Sequence, residues 1–287
     1  MTKPPLASIA TRHRITTADA ITTQRQLTSR DIELLELLDT HHVLTSTQIA
    51  RLLFASENVA RKRLAKLTAR GVIGRFRSCP GPGTLPWRYT LGPLGAMIIA
   101  ASHGHTLPTA SKTHEKMLRL SRSQRLDHLL GINEFFSHLK FDARNKDGQE
   151  LLEWWNERDT AEICANIVRP DGYGHWEEHG KRIRFFLEYD NGTETIEELV
   201  GKLGRYRELA QAGMNLPVLF VFTGELRQNN FHRHLSAQPA LTAGLAVAST
   251  ATGDIDAMSP AGPVWLPAGS HDRQRLIALT EPTALAA

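Results

Sequence analysis

Apolar residues recur at helical spacing through the first third of the chain and give way to strand-like alternation farther on. Ser29 is placed to cap a helix starting near Arg30, with Ile32, Leu34, Leu35, Leu37 and Leu38 as its apolar stripe and His41-His42 at its end. Thr45 caps a short second helix, Ser46 to Phe54, that turns Ile49, Leu52 and Leu53 inward. A third helix, Glu57 to Ala69, points Val59, Leu64 and Leu67 at the core and is closed by Gly71. Strand-like Val72–Arg77 and Trp87–Leu91 then flank the Pro/Gly loop Ser78–Pro86, and helix Pro93–Ala101 follows. Helix, helix, basic helix and hairpin in this order predict an N-terminal winged helix-turn-helix.

The second half alternates helices and strands. A long helix spans about Arg122 to Arg144, followed by strand Leu151–Trp155 and a strand Glu162–Arg169 that ends at Pro170-Asp171. A polar loop leads to the strand Arg182–Asp190. Helix Thr195–Ala212 has the stripe Ile196, Leu199, Leu203, Tyr206 and Leu209. Pro217–Thr223 is nearly continuous in apolar residues, as a strand covered on both faces should be. Helix Glu225–Ala237 and strands near Leu245–Ser249 and Val264–Leu266 complete the pattern. The fold class is therefore α/β in the α+β sense, with an α-β-β-β-α-β core after the winged helix. The expected divisions are a flexible arm at 1–28, the winged helix at 29–101, a linker at 102–121 and the second domain at 122–280.

Charge divides along the same line. Residues 1–125 hold 19 of the 34 Lys and Arg and 7 of the 30 Asp and Glu, a net of +12, which leaves the remainder at −8. The basic half is suited to a polyanion, double-stranded DNA in the first instance. Asn58, Arg61, Lys62, Arg63, Lys66 and Arg70 on the third helix supply donors for phosphates and guanine edges, and Arg75, Arg77 and Arg88 on the hairpin reach flanking phosphates. The two cysteines, Cys79 and Cys164, fall in different predicted domains, which argues against a disulfide framework and excludes a cysteine-rich zinc site. No apolar run approaches the roughly 20 residues that cross a bilayer, and the Thr-rich start has no signal core, so the expected compartment is the cytoplasm, with no membrane partner.

The acidic half concentrates its candidate chemistry in one strand. In Ile183-Arg184-Phe185-Phe186-Leu187-Glu188-Tyr189-Asp190 the period of two puts Glu188 and Asp190 on one side of the sheet, and Asp171 joins them if its strand pairs alongside. Clustered carboxylates suit Mg2+ or Mn2+, which take oxygen ligands. Glu134 on the long helix is a further candidate ligand, and Lys202 borders the inward face of the helix that follows.

These segments resemble the PD-(D/E)XK nuclease superfamily, the restriction-endonuclease-like fold. More narrowly, the chain resembles the replication-relaxation family of actinobacterial plasmids and integrative elements. The resemblance rests on the basic winged helix, His128-Leu-Leu-Gly-Ile-Asn-Glu134, Arg169-Pro-Asp-Gly172, Phe186-Leu-Glu-Tyr-Asp-Asn-Gly-Thr-Glu194 and Lys202-Leu-Gly-Arg-Tyr206. It implies that Asp171 and Glu188 are the metal carboxylates, that Glu134 matches the acid of the first helix, and that Asp190 stands where a lysine is expected. Aspartate there can bind metal but cannot orient an attacking water, a task that falls to Lys202. Tyr206 and Arg205 are placed to contact the strand. The implied activity is Mg2+-dependent nicking or cleavage in plasmid replication or DNA relaxation. The partners admitted are DNA, a second copy of the chain, and other replication or transfer proteins.

Two rivals remain open. One is a non-catalytic DNA-binding regulator or replication accessory protein whose second domain is a degenerate nuclease. The other is a tyrosine relaxase, ranked below both because the four tyrosines, Tyr89, Tyr173, Tyr189 and Tyr206, have no His-rich metal cluster beside them. Structurally, Asp171 can also be read as a turn residue, and Glu188 and Asp190 as sheet-edge charges paired to Arg184.

Overall fold

Capping residues start most of the helices. The computed structural model describes the backbone of residues 6–8 and the whole of residues 15–77 and 85–279. The chain forms two compact units, Met1–Asn133 and Glu134–Ala287, and it is a mixed α/β structure with one sheet in each unit.

In the first unit the elements are β1 (Leu6–Ser8), α1 (Thr17–Gln24), α2 (Ser29–His41), β2 (Leu44–Thr45), α3 (Ser46–Leu53), α4 (Glu57–Ala69), β3 (Ile73–Arg77), β4 (Arg88–Leu91), α5 (Pro93–Ser102) and α6 (Ala110–Ser121). Thr28, Thr45 and Ser56 cap α2, α3 and α4 with their hydroxyls, and Asp31 and Gln48 complete capping boxes in the first two. The cap of α2 is thus Thr28, one residue before the Ser29 expected. The sheet order is β1-β3-β4-β2, antiparallel throughout. Leu34, Leu35, Leu38, Ile49, Leu52, Leu64 and Leu67 are buried as their spacing predicts. Val59 is not: it is 49% exposed and Ala60 takes the inward position. Gly71, at φ 71°, ends α4 in the left-handed conformation that favours glycine. The stretch expected to be a linker contains α6, whose N-cap is Thr109, and the stretch expected to be an arm contains α1. The loop 78–84, with Cys79, lies outside the described residues.

The division between units falls inside α7 (Leu126–Asn145). The second unit continues with β5 (Gln149–Asn156), α8 (Glu157–Ile163), β6 (Gly172–Glu178), β7 (Lys181–Asp190), α9 (Ile196–Gln211), β8 (Val218–Phe222), α10 (Glu225–Ala237), β9 (Val247–Ala251), α11 (Thr252–Met258) and β10 (Leu266–Pro267). The strand order is β10-β9-β8-β7-β6-β5. Strands β7, β8 and β9 run parallel and are linked through α9 and α10, while β5, β6 and β10 pair antiparallel to their neighbours. One core cluster packs Phe186, Leu199, Leu203, Phe220, Phe222 and Phe231 together, which places α9 and α10 over the same side of the sheet.

Two strand expectations are overturned. Residues 162–169 are not a strand: Asn156 caps α8, and the chain then turns through Ala165 and Asn166, both at positive φ. The segment taken as a polar loop is instead β6, joined to β7 by a two-residue turn at His179-Gly180 with φ of 50° and 78°. A Cβ on Gly174 would lie 2.3 Å from the Phe185 ring, so this glycine makes room for a cross-strand aromatic. Among the described residues, no helix is long and apolar enough to cross a membrane.

Candidate functional site

The basic face of the first unit divides into exposed and engaged groups. On α4, Asn58, Arg61, Lys62 and Lys66 are exposed, with Arg61 donating to the Asn58 side-chain oxygen at 2.9 Å. Arg63 points elsewhere: it forks onto Asp31 of α2, with Nε donating at 2.8 Å to a carboxylate that is only 1% exposed. Burial works against the charged form of Asp31, but the Arg63 and Thr28 hydrogen bonds hold its carboxyl below the usual range. Arg70 donates to Gln26 at 2.6 Å, and Arg88 pairs with Asp127 at 3.1 Å. Arg75 and Arg77 both lie over the Trp87 indole, 4.2 and 4.4 Å from its centroid. Of nine expected DNA contacts, Arg63 is therefore committed to holding α4 against α2.

In the second unit, residue alternation along β7 does place Glu188 and Asp190 on one side, but their partners differ. Glu188, 2% exposed, accepts from Lys202 Nζ at 3.0 Å through one oxygen and from the Tyr206 hydroxyl at 2.5 Å through the other. Lys202 and Tyr206 are one helical turn apart on α9, so both reach the same carboxylate. Lys202 also pairs with Glu194 at 2.9 Å. Asp171 directly precedes β6 and accepts from the Tyr189 amide at 2.8 Å, and its charge acts on Glu188, Lys202 and Tyr206 alike. Asp171, Glu188 and Lys202 thus form one electrostatic cluster.

Asp190 stands apart from it. Arg227, at the start of α10, grips its carboxylate through Nε and, at 3.0 Å, through a terminal nitrogen, and also binds the Glu194 carbonyl. The Gly192 amide donates to Asp190 at 3.0 Å. Glu134 pairs with His138 one turn along α7, at 3.2 Å. Sequence reasoning missed Arg227 and Glu194. Arg227 is 37 residues from Asp190 and carries no local pattern, whereas Glu194 closes the quoted segment Phe186–Glu194 and was given no role.

The cluster has a distinctive electrostatic state. Burial first, and the Asp171 charge second, push the Glu188 carboxyl up to about 7, against the opposing pull of Lys202 and Tyr206. Burial disfavours the Lys202 ammonium, but the Glu188 and Glu194 carboxylates outweigh it and raise its pKa. The Tyr206 hydroxyl is held well above its ordinary range by burial and by Glu188. At neutral pH Lys202 is a cation and Tyr206 a neutral donor.

Among the described residues, no group of three or more His, Cys, Asp or Glu is spaced to hold a metal. The four-acid set of Asp171, Glu188, Asp190 and Glu134 therefore does not fit one. The pair Asp171–Glu188 does fit: one or two carboxylates, completed by water and substrate phosphate, are the donor set Mg2+ takes. Tyr206 and Lys202 engage one hydrogen bond on each Glu188 oxygen, and each oxygen has a second lone pair.

No curated protein and no solved structure matches the chain. A model of the replication-relaxation family matches residues 35–223, about two thirds of the sequence, from within α2 to just past the end of β8. That span takes in α4, the β3–β4 pair and the whole Asp171–Glu188–Lys202 cluster, and the chain belongs to the replication-relaxation family.

Proposed function

We propose that this protein binds double-stranded DNA of a plasmid or mobile element through a winged helix, and nicks or cleaves it at a PD-(D/E)XK-like site in the second unit, in replication or relaxation. The observation that carries the reading is the Lys202 ammonium, which arrives from α9 at 3.0 Å from Glu188 and supplies the cation that position 190 lacks. The order α7-β5-β6-β7-α9-β8, with α8 inserted after β5, agrees with the superfamily's α-β-β-β-α-β core. The exposed Arg61, Lys62 and Lys66 on α4 support the DNA-binding half.

Asp171 and Glu188 are the residues that would hold Mg2+ or Mn2+, which when bound lowers the pKa of a coordinated water and polarises the scissile phosphate. Lys202 balances negative charge beside Glu188 and is positioned for the phosphate or the attacking water. Tyr206 fixes the other Glu188 oxygen, and Glu194 restrains the lysine from the solvent side. Asp190, paired with Arg227, acts structurally at the end of β7.

The test is nicking of supercoiled plasmid with Mg2+ or Mn2+ by the full chain and by Asp171→Asn and Glu188→Gln variants. Nicking by the wild type and its loss in both variants, with a cooperative melt retained, is expected. Normal nicking by both variants, or none by the wild type with either metal, overturns the catalytic reading. The non-catalytic regulator is the second reading, favoured by the same bonds viewed as a closed ion-pair network: Glu188 is deeply buried and both its oxygens are engaged.

A further inference from the structure

Val59 stands on the outer face of α4 at 49% exposure, while its neighbour Ala60 takes the inward position. The exposed positions that follow on this helix carry the donors Arg61, Lys62 and Lys66 and the alanines Ala65 and Ala69. Lys62 and Lys66 come three and seven residues after Val59, so the three share one side of the helix. Asn58, directly before it, is exposed, accepts from Arg61 through its side-chain oxygen at 2.9 Å and keeps two N–H donors. Glu57, the single acid of α4, precedes Val59 by two residues and so lies on nearly the opposite side. Neither burial nor helix propensity accounts for a valine here. A side chain half in water buries little apolar area, and valine is a poorer helix former than the alanine, lysine and arginine around it. The first turn of α4 therefore presents one branched apolar group flanked by hydrogen-bond donors.

We infer that Val59 reads the C5 methyl group of a thymine in the major groove. The inference rests on the binding of duplex DNA through α4 proposed above, and is independent of cleavage. In a helix-turn-helix complex the first residues of the recognition helix meet base edges, and Val59 is the third residue of α4. The base pairs expose donors and acceptors in that groove, and the thymine methyl is the apolar group among them. A lysine or an arginine does not recognise it, whereas a branched aliphatic side chain does. Ala65 and Ala69, farther along the helix, add no bulk that would hold it off the groove floor. A contact between methyl groups releases no counterions, so discrimination at this thymine should persist at salt concentrations that weaken the lysine contacts.

The experiment uses the full chain in EDTA, so that no metal-dependent cleavage intervenes. Duplexes with a randomised core about two helical turns long are selected for binding. The best-bound duplex is then remade with each thymine in turn replaced by deoxyuridine, which removes the C5 methyl and nothing else. Replacement at one thymine, or at a symmetric pair, should weaken wild-type binding about fourfold, the worth of one buried methyl group. Val59→Ser should bind the thymine and deoxyuridine duplexes equally at that position. It should keep the wild-type salt slope, since it loses no phosphate contact. A deoxyuridine scan without effect on the wild type overturns the inference, and so does a methyl penalty that persists in Val59→Ser. Selection that yields no preferred sequence overturns it as well, and affinity for random duplex then separates the two readings. If that affinity is present, DNA binding stands without base reading by Val59; if it is absent, both fall. Val59 is half exposed, so the variant should fold, and a circular-dichroism melt within a few degrees of wild type checks it.

Discussion

The exposed face of α4 and the far end of β7 use charge in opposite ways. On α4, Arg61, Lys62 and Lys66 are exposed on one helix, and Arg61 donates to the Asn58 side chain. At the end of β7, Glu188 and Asp190 are buried at 2% and 3% exposure, and each is met by a cation from a different helix. Exposed charge is weakly coupled to stability and strongly to a polyanion. Buried charge must be paired, and the nature of the pairing separates chemistry from architecture. Asp190 meets a two-pronged arginine, which stays charged and fixes geometry. Glu188 meets a lysine, a tyrosine and a second carboxylate, and its own protonation is poised near neutrality. Arg63 shows that the distinction runs through a single helix, since it lies among the exposed cations of α4 and yet serves a buried acid.

The largest expected effect separates the two acids of β7. Lys202→Met should lower metal-dependent nicking by about 10²-fold or more, the scale seen when one preorganised charge-stabilising donor is removed. Loss of the cation raises the Glu188 pKa further, so the buried acid takes up a proton, and the variant should still melt cooperatively with a smaller loss of stability than an unpaired carboxylate would cause. Equal loss of nicking in an Asp190→Asn variant that keeps its stability would erase the contrast between them. Asp190→Ala should instead destabilise the fold by about 3 kcal/mol in urea titration, the low end for breaking a buried pair because Arg227 is partly exposed.

The pH dependence follows from Glu188. Its folded pKa is raised from 4.5 to about 7, so between those values the folded chain holds the proton that the unfolded chain has released. Stability should therefore fall as pH rises through that window, and Glu188→Gln should flatten the fall in urea titrations between pH 4.5 and 7.5. Under the proposed mechanism nicking should move the other way, rising toward and above pH 7 as the Glu188 carboxylate forms. A wild-type nicking profile flat from pH 5.5 to 8 would detach Glu188 from the chemistry.

On α4 the effects are smaller and sort by partner. Arg63→Ala should cost about 1.5–2 kcal/mol, the worth of hydrogen bonds to a charged group. Lys66→Ala should leave stability within about 0.5 kcal/mol while reducing the salt dependence of DNA binding by roughly one phosphate contact. A Lys66→Ala variant with an unchanged salt slope would take this face out of the DNA contact. Val59→Ser, at a half-exposed position, should change stability by no more than about 0.5 kcal/mol.

Much of the element pattern was legible because it is local. Thr45 caps its helix as its position predicts, the stripe of α9 is buried, and the apolar run before Thr223 is a central strand. The errors came where local cues had two readings. The polar segment before Arg182 reads as a loop, but of its glycines only Gly180 makes a turn, while Gly174 yields space to Phe185. Val59 fits a helical stripe, yet the rotation of α4 set by Leu64 and Leu67 favours Ala60 at the interface.

The chain's own residue order determined that Glu188 and Asp190 share a side of a strand, that Lys202 and Tyr206 share a side of a helix, and that positive charge gathers in the first 125 residues. These are consequences of periods of 2 and 3.6 and of composition. Only the folded sheet decided which cation reaches which acid. Crossover connections through α9 and α10 bring Lys202 to Glu188 and Arg227 to Asp190 across 14 and 37 residues. No one-dimensional period encodes such pairings, because they depend on how two helices settle over three parallel strands.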